Sequence, residues 1–370
     1  MKRYPRRHFL RQVGAGIGAS AIVVMPTVPV VAGLPVARKL NVALCGLGRY
    51  AGYLAEGMAL SKYCQLTGII SGTPAKITDW QKRHNILPEN CYNYQNFDEI
   101  AANKNIDVVY VVLPNGLHKE YTIRAAKAGK HVIVEKPMAV SVAECEAMIA
   151  ACQAAGVQLA MGYRLHYEPY HQELKRLGQQ KIFGQVRLIE VSLGYRLDEI
   201  TPTDWHLKKA LSGGGPLMNL GVYCVQSSRY VLGEEPIAVT AQFGPVQHPE
   251  LYNEVEESIT WQLTFPSGAV ATSTSANNLS VDRFYASADT GFFELSPAVS
   301  YGPFRGRTSK GELNFPNINQ QTAQLDGIGQ VLLTGKELPD HISGIEGLKD
   351  LRVLEAIYTA AETGQKVMLM

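Results

Sequence analysis

The apolar positions of residues 38–163 fall into short runs separated by stretches with helical spacing. The runs lie at 40–44, 66–70, 107–113, 131–134 and 158–161, and their mostly apolar composition is typical of strands buried on both faces. Between the last two runs, Ser141 to Ala155 has a helical pattern that opens with a capping box of Ser141 and Glu144. This alternation predicts a doubly wound parallel sheet of the Rossmann type.

Beyond about residue 165 the pattern changes to longer runs in which apolar and polar positions alternate. These runs lie at 185–195, 237–243, 258–265, 269–275 and 284–295, and Pro266-Ser267-Gly268 marks a hairpin turn between two of them. The pattern predicts an α+β domain on a large, mostly antiparallel open sheet. We therefore divide the chain into a first domain at 38–163 and a second at 164–370, whose last helix, 344–363, packs back on the first.

The first 37 residues have the composition of a targeting segment. Arg6-Arg7-His8-Phe9-Leu10-Arg11 resembles the twin-arginine export consensus, and the apolar stretch 13–25 and small residues follow it. A membrane anchor is the alternative, but Pro26 and Pro29 end an apolar run that is short for a membrane span. We expect residues 1–37 to be a signal peptide and short linker, the protein to be exported folded to the periplasm, and no stable membrane insertion after cleavage.

Composition restricts the class of partner. The chain has 370 residues, of which 46% are hydrophobic and 18% charged, and a formal net charge of +2. Basic residues do not cluster outside the first eleven positions, so we expect no nucleic-acid partner. The six cysteines and the histidines form no group with metal-ligand spacing, so we predict no metal site. These values are typical of a soluble enzyme with a small-molecule substrate.

A glycine-rich motif follows the first strand. The segment Cys45-Gly46-Leu47-Gly48-Arg49-Tyr50-Ala51 matches G-x-G-x-x-A at the point where an apolar run ends and a helical pattern begins. In such a motif the first glycine makes the turn, the second lets the backbone approach a pyrophosphate, and the last small residue lets the helix pack on the sheet. An ordinary glycine-rich turn is the alternative, which the flanking strand and the following βα units disfavour. The segment predicts a bound dinucleotide.

The end of the second strand predicts which dinucleotide binds. A Rossmann unit usually has an acidic residue here that binds a ribose hydroxyl, but this chain has Ser71-Gly72-Thr73-Pro74-Ala75-Lys76. Hydroxyls, backbone donors and a cation suit a 2′-phosphate, so we expect NADP, and Arg49 beside the phosphates is consistent with it. The alternative is a polar turn before the next helix with Lys76 in solvent.

Two further strand ends carry polar residues. Leu113-Pro114-Asn115 with His118 ends one strand, and Glu135-Lys136-Pro137 ends the fifth, at the edge where parallel sheets bind ligands. Proline restricts the local backbone and so fixes where Lys136 points. Together with the glycine motif, these segments resemble the glucose–fructose oxidoreductase and inositol dehydrogenase family.

The resemblance is closer to the glucose–fructose oxidoreductase branch and covers nearly all of the chain after residue 37. It is carried by Gly162-Tyr163-Arg164-Leu165-His166-Tyr167, Trp205-His206-Leu207, Gly213-Gly214-Gly215-Pro216-Leu217-Met218 and Arg229-Tyr230-Val231-Leu232-Gly233-Glu234-Glu235-Pro236. It implies an NADP enzyme that oxidises an aldose to its lactone and reduces a second sugar without releasing the cofactor. A homodimer or homotetramer through the C-terminal sheet is expected, although segment 33–39 is shorter than the family's subunit-embracing arm.

The resemblance also assigns the catalytic residues. In the family the lysine of E-K-P lies near the nicotinamide, and a carboxylate and a tyrosine or histidine four residues later face the substrate. The glucose–fructose oxidoreductase branch has Asp-x-x-x-Tyr there. This chain has Asn219 and Tyr223 there, on one helix face. Asparagine can orient a sugar hydroxyl but cannot act as a base. We expect Tyr223 to be the general acid/base, with Lys136 stabilising its phenolate and binding the sugar oxygen. The alternative makes Lys136 the base.

Three further residues, Tyr163, Arg164 and His118, are candidates for the site. We expect Tyr163 and Arg164 to line the substrate pocket, against the alternative that they only join the domains. His118 has the alternative role of supporting its own helix. The full set expected at the cofactor is Gly46, Gly48, Arg49, Tyr50, Ala51, Ser71, Gly72, Lys76, Leu113, Pro114, Asn115, His118, Glu135, Lys136, Trp205 and His206.

Two functions of other classes remain open. One is a glycoside hydrolase that uses a bound nicotinamide transiently, as some relatives do. The other is a catalytically weak sugar sensor, which Asn219 in place of the family's aspartate makes conceivable.

Overall fold

The computed structural model describes residues 38–196 and 200–369. The predicted twin-arginine signal and linker, residues 1–37, lie outside the described residues. Within the described ranges, no helix combines the length and the apolar composition that crossing a bilayer requires.

The first sheet is parallel throughout, as the short apolar runs predict. Its strand order is β3-β2-β1-β4-β5-β6, which doubles back at β1 as in a doubly wound sheet. The strands are β1 (Leu40–Cys45), β2 (Cys64–Ile70), β3 (Cys91–Tyr92), β4 (Val108–Val111), β5 (His131–Val134) and β6 (Leu159–Met161). The helices between them are α1 (Arg49–Leu60), α2 (Pro74–His84), α3 (His118–Lys127) and α4 (Val142–Ala154).

The capping box predicted at the start of α4 is present. Ser141 is its N-cap, and the Ser141 hydroxyl oxygen accepts a hydrogen bond of 3.3 Å from the backbone N–H of Glu144. This bond satisfies one of the N–H groups that a helix N-terminus leaves unpaired.

The second sheet has nine strands in the order β14-β13-β12-β11-β7-β10-β9-β8-β15. All neighbours described are antiparallel except β7 and β10, which confirms the predicted fold class of a Rossmann sheet followed by a mostly antiparallel sheet. The strands are β7 (Val186–Gly194), β8 (Ala238–Phe243), β9 (Ser258–Thr264), β10 (Val270–Ala276), β11 (Val281–Ala288), β12 (Gly291–Leu295), β13 (Gly306–Thr308), β14 (Gly311–Leu313) and β15 (Val367–Met368). The accompanying helices are α5 (Pro169–Gln179), α6 (Lys209–Ser212), α7 (Val222–Leu232), α8 (Gln320–Leu333) and α9 (Gly344–Thr363).

One predicted strand is in fact two. The run 284–295 was expected to be continuous, but Asp289 and Thr290 form a turn between β11 and β12, which pair with each other. The Asp-Thr-Gly sequence is a turn signal that the apolar positions on either side concealed. The correction adds one strand to the sheet and leaves its class unchanged.

Two C-terminal helices pack on the first domain. The helix predicted at 344–363 is α9, which lies against α4 and β6 on one side and β8 on the other. Helix α8 packs on α1, and its Leu325 and Ile328 are fully buried in a core cluster that includes Leu44 of β1. The first domain is thereby packed against two helices of the second domain.

Candidate active site

The glycine motif has the geometry that its sequence predicts. Gly46 has φ +104°, and a Cβ there would lie 2.3 Å from the carbonyl oxygen of Val112, so only glycine fits. No heavy atom lies within 4 Å of where a Cβ of Gly48 would be. Helix α1 begins at Arg49, with no acidic residue in its first turn and no side-chain cap. Its first N–H groups therefore suit a pyrophosphate, and the residues present fit a dinucleotide.

The end of β2 offers a polar surface without a carboxylate. The Ser71 side chain is buried and its oxygen accepts a 3.2 Å hydrogen bond from the N–H of Thr73. Gly72 lies against the Tyr94 ring, where a Cβ would approach to 2.6 Å. Lys76 is exposed, as is Arg49 at the start of α1. Gly72, Thr73 and both cations are exposed on this side of the sheet.

His118 holds the segment that follows β4. Its Nε2 lies 2.8 Å from the carbonyl oxygen of Leu113, and its Nδ1 lies 3.1 Å from that of Pro137 and 3.2 Å from that of Met138. The side chain is fully buried, and burial lowers its pKa. His118 therefore ties two strand ends together and does not reach the cofactor surface, which corrects the expectation of a cofactor contact and matches the alternative of a supporting role.

Asn115 and its neighbours form the adjoining surface. Asn115 is buried, and its side-chain amide donates a 2.7 Å hydrogen bond to the carbonyl oxygen of Ser212, just before the glycine run 213–215. Pro114 precedes a single 3₁₀ turn, Asn115–Leu117, that leads into α3. The β4 end is thus attached to the second domain.

Lys136, Asn219 and Tyr223 come together at the end of β5. The Lys136 ammonium donates a 2.8 Å hydrogen bond to the backbone carbonyl oxygen of Asn219, and its Nζ lies 4.5 Å from the centre of the Tyr223 ring. Asn219 lies in a π-helical turn, Leu217–Gly221, that runs into α7, where Tyr223 is the second residue. All three side chains are partly exposed, so they can meet a ligand.

Glu135 lies directly beneath this group. It is buried, and its carboxylate accepts a 2.7 Å hydrogen bond from the Tyr110 hydroxyl, which itself accepts a 2.6 Å bond from the Gln324 amide. Burial raises the pKa of Glu135 to about 7, although Tyr110 and the Lys136 ammonium oppose that shift. A Cβ on Gly162 would lie 2.4 Å from this carboxylate, so a glycine is required there.

Tyr163 and Arg164 have different positions. Tyr163 is buried, and its hydroxyl donates to the carboxylate of Asp350 in α9, so it lies behind the pocket and does not line it as expected. Arg164 is also buried, but its guanidinium carbon lies 5.3 Å from the centre of the Tyr223 ring and 4.5 Å from that of Tyr301. Arg164 therefore lies next to the site, on the buried side of the Tyr223 ring.

Trp205 and His206 form a stacked pair near Lys136 and Arg49. Their rings stack with centres 3.7 Å apart, and His206 Nδ1 lies 2.6 Å from a carboxylate oxygen of Asp204. Burial lowers the pKa of His206, the Asp204 bond opposes this, and the positive charges of Lys136 and Arg49 lower it further. His206 thus experiences the charges of both the β5 end and the phosphate-binding turn.

Sequence reasoning missed two groups of residues. Glu256 accepts hydrogen bonds of 2.9 Å from the N–H groups of Gly215 and Leu217, and the Tyr358 hydroxyl donates to the same carboxylate. It thereby holds the turn that carries Asn219. Tyr301, in the loop after β12, packs on Tyr53 of α1 at 5.1 Å. Glycine and proline beside Tyr301 signal a loop, but no sequence pattern places that loop at this site.

Comparison with known proteins agrees with both domains. Residues 40–163 match the model of an oxidoreductase family with an NAD-binding Rossmann fold. Residues 171–291 match the GFO/IDH/MocA C-terminal domain.

Three relatives share much of the chain. The crystal structure of aldose-aldose oxidoreductase from Caulobacter crescentus, complexed with glycerol, is 41% identical, with a TM-score of 0.86 over 90% of this chain and 100% of that one. D-xylose 1-dehydrogenase [NADP(+)] from Haloarcula marismortui is 29% identical over 83% of this chain and 86% of its own length. The 2,7-anhydro-N-acetylneuraminate hydratase of Escherichia coli is 31% identical over 63% of this chain and 60% of its own length.

Proposed function

Because this chain belongs to the oxidoreductase family that joins an NAD-binding Rossmann domain to a GFO/IDH/MocA C-terminal domain, we propose that it is a retained-cofactor sugar oxidoreductase. The chain is a nicotinamide-dependent oxidoreductase acting on sugar CH–OH groups. The proposal adds that it oxidises an aldose to the lactone and returns the hydride to a second sugar, a ketose or an aldose, on one bound NADP.

The arrangement of Lys136, Asn219 and Tyr223 carries the proposal. An ammonium, an amide and a phenol converge at the carboxyl edge of the parallel sheet, beside the turn that fits a dinucleotide. The ammonium and the amide can hold sugar oxygens, and the phenol can exchange a proton with the anomeric hydroxyl. No metal is needed for this chemistry.

Each residue has a distinct task in the oxidation. A bound nicotinamide supplies the hydride acceptor, and the protein must remove the hydroxyl proton while the carbonyl forms. Tyr223 takes that proton, and Lys136 donates a hydrogen bond to the same oxygen and stabilises the phenolate. Asn219 orients a neighbouring hydroxyl. Reduction of the second sugar reverses the proton transfer.

The proposal of NADP rests on the surface after β2. The Ser71 and Thr73 hydroxyls and the exposed Lys76 and Arg49 offer donors and positive charge to a 2′-phosphate, and no carboxylate among residues 71–76 repels it. The NADP-dependent xylose dehydrogenase supports the choice of NADP, and both it and the aldose-aldose oxidoreductase support a sugar substrate.

Export motivates the retained cofactor. The twin-arginine pattern at residues 6–11 is typical of proteins that cross the membrane folded. A periplasmic enzyme without a supply of NADP has to regenerate it in place, and two sugar half-reactions on one site do so. A homodimer or homotetramer through the second sheet belongs to this proposal.

The test begins with the protein purified from its export compartment. After denaturation, the supernatant is assayed for NADP(H), and the native protein is mixed with single aldoses while the absorbance of bound nicotinamide is followed. The proposal expects stoichiometric NADP(H), reduction by an aldose, and reoxidation by a second sugar. An empty protein that turns over only with added soluble cofactor contradicts cofactor retention.

A redox-neutral reaction is the second candidate. The similarity to the neuraminate hydratase favours it, and a transient oxidation at this site also serves a glycoside hydrolase. Release of free sugar or water addition without a net change in nicotinamide absorbance identifies this function. A sugar sensor, the third reading, shows sugar binding and no cofactor reduction at all.

A further inference from the structure

We propose that Arg164 is a positioning residue, a buried cation that holds Tyr223 in place and stabilises its phenolate, so that Tyr223 works between two cations. The proposal rests on the role of Tyr223 in the proposed function and adds Arg164 to it. Arg164 was expected at the sugar, but the structure places it behind the phenol.

Arg164 is fixed in its place by the second domain. Its guanidinium donates to the carbonyl oxygens of Val299 and Ser300, the latter at 3.4 Å, and to the side-chain oxygen of Gln320 at the start of α8. A planar guanidinium with several fixed partners loses little further freedom, so its charge stays at one point. It is 3% exposed, which excludes most of the solvent screening.

The loop that binds Arg164 is itself held by a carboxylate. Asp282 of β11 accepts hydrogen bonds from three consecutive backbone N–H groups, at 2.7 Å from Ala298, 2.7 Å from Val299 and 3.0 Å from Ser300. Asp282 therefore holds the N–H groups of this loop, and the carbonyl oxygens of Val299 and Ser300 accept hydrogen bonds from the Arg164 guanidinium. A chain of contacts therefore runs from the second sheet through Arg164 to the phenol.

The charge of Arg164 is not neutralised locally. No carboxylate in the described ranges 38–196 and 200–369 lies within ion-pairing distance of it, and its buried Nε has no hydrogen-bond partner in those ranges. A buried cation without an ion pair favours negative charge on whatever acidic group adjoins it. The neighbouring acidic groups are the phenols of Tyr50, Tyr195, Tyr223 and Tyr301 and the Glu135 carboxyl.

Three of those phenols have a raised pKa. Burial raises the pKa of Tyr50 well above its usual value, and burial also raises the pKa of Tyr195 and Tyr301, in each case against the opposing charge of Arg164. Tyr223 differs because two cations flank its ring, Lys136 at 4.5 Å and Arg164 at 5.3 Å from the centre. Tyr223 is therefore the phenol that has a cation–ring contact with both Lys136 and Arg164.

The consequence for the reaction is a split of tasks between the two cations. Lys136 is partly exposed and can bond the sugar oxygen, whereas Arg164 is buried and reaches the sugar only through Tyr223. When the phenolate takes the hydroxyl proton, the C–H bonding pair leaves as hydride and the O–H pair becomes the carbonyl bond. Arg164 changes how readily that proton is taken, and it leaves sugar binding unchanged.

The experiment compares Arg164→Met with Arg164→Lys and with Lys175→Met as the matched control. Lys175 makes a cation–ring contact of 4.9 Å with Tyr230 and, within the described residues, has no contact with Lys136, Asn219 or Tyr223. The rate of cofactor reduction by an aldose is measured against pH, together with KM. Arg164→Met should lower the rate at neutral pH by roughly tenfold or more and move the profile to higher pH, with KM nearly unchanged. Arg164→Lys should restore most of the rate, and Lys175→Met should behave as the parent.

A second readout needs no turnover. In protein labelled with ¹³C at tyrosine Cζ, the resonance missing from Tyr223→Phe belongs to Tyr223, and it should change to the phenolate position at higher pH in Arg164→Met than in the parent. Asp282→Asn weakens the hydrogen bonds that hold the 298–300 loop, so it should move the Tyr223 resonance in the same direction by a smaller amount. This variant replaces Arg164→Met in the experiment if Arg164→Met does not fold.

Two results overturn the proposal. One is a Tyr223 resonance and rate profile that do not move in Arg164→Met. The other is a raised KM with an unmoved profile, which makes Arg164 a sugar ligand. A parent protein that no aldose reduces contradicts the proposed function separately, and the labelled resonance still decides the role of Arg164.

Discussion

The ammonium of Lys136 lies 2.8 Å from the backbone carbonyl oxygen of Asn219. The lysine is therefore held by the main chain of the π-helical turn 217–221, and the Asn219 side chain is not needed to hold it. Glu256 fixes this turn from the other side through the N–H groups of Gly215 and Leu217. A substitution at 219 can thus change the chemistry offered to a sugar while Lys136 keeps its position.

Replacing Lys136 with Met removes the ammonium and keeps most of the side-chain volume. We expect NADP to stay bound and hydride transfer to slow by roughly 10²- to 10⁴-fold, the usual scale for a positioned acid/base group. Single-turnover stopped flow of bound nicotinamide measures this directly. Because the contact is with a backbone carbonyl, Asn219→Ala is the control that should leave the cofactor and Lys136 in place. A near-normal rate in Lys136→Met makes the lysine structural.

Changing Asn219 to Asp restores the carboxylate that the family has at this position. The two side chains are nearly isosteric, so the turn should keep its shape, and the carboxylate can accept the proton of a sugar hydroxyl, which the amide cannot. We expect faster cofactor reduction by a glucose-like aldose. The same stopped-flow measurement on Asn219→Asp and Asn219→Ala separates charge from size. Equal or slower reduction in Asn219→Asp argues that the asparagine selects a different sugar.

Changing Ser71 to Asp should shift preference from NADP toward NAD. A carboxylate repels a 2′-phosphate and binds a ribose hydroxyl. The companion variant Lys76→Met removes only a cation. It should weaken NADP binding by roughly 10- to 100-fold, which is the scale of one charge-assisted hydrogen bond. Its affinity for NAD should stay the same. Calorimetric titration of protein stripped of cofactor gives both affinities. If the ratio of the two affinities stays the same in Ser71→Asp, the selectivity lies elsewhere.

Glu135 should make stability depend on pH between about 4.5 and 7. Burial raises its pKa from 4.5 to about 7, so in that window the folded state holds a proton that the unfolded state has released. Stability then falls as pH rises through the window, by up to about 3 kcal/mol. Glu135→Gln keeps an acceptor for Tyr110 and removes the titration. In denaturant unfolding from pH 4.5 to 8, the free energy of unfolding should decline more steeply in the parent than in Glu135→Gln. If the two curves are parallel, ionisation of Glu135 does not destabilise the folded state.

Local patterns were enough to predict the sheets and the strand-end residues. The turn at Gly46, the capping box at Ser141 and the position of Lys136 at the end of β5 depend on neighbours close in sequence. Their positions could therefore be predicted before any tertiary contact was known. The positions of Ser71 and Lys76 could be predicted for the same reason, since both lie within one βα turn.

Burial set by distant partners could not be predicted. Tyr163 was expected in the pocket, but its hydroxyl bonds Asp350, 187 residues away. Arg164 is fixed by Gln320, 156 residues on, and by the 298–300 loop. No periodicity links such distant positions. The sequence therefore predicted that Tyr163 and Arg164 lie near the site, but it did not predict that both side chains are buried behind it.

The most direct test of the account is single-turnover reduction of bound NADP by an aldose in the parent and in Tyr223→Phe. The substitution keeps the ring between Lys136 and Arg164 and removes only the hydroxyl. The account predicts rapid reduction in the parent and a loss of roughly 10²- to 10⁴-fold in the variant, with NADP still bound. A variant as fast as the parent contradicts the chemistry assigned to this helix.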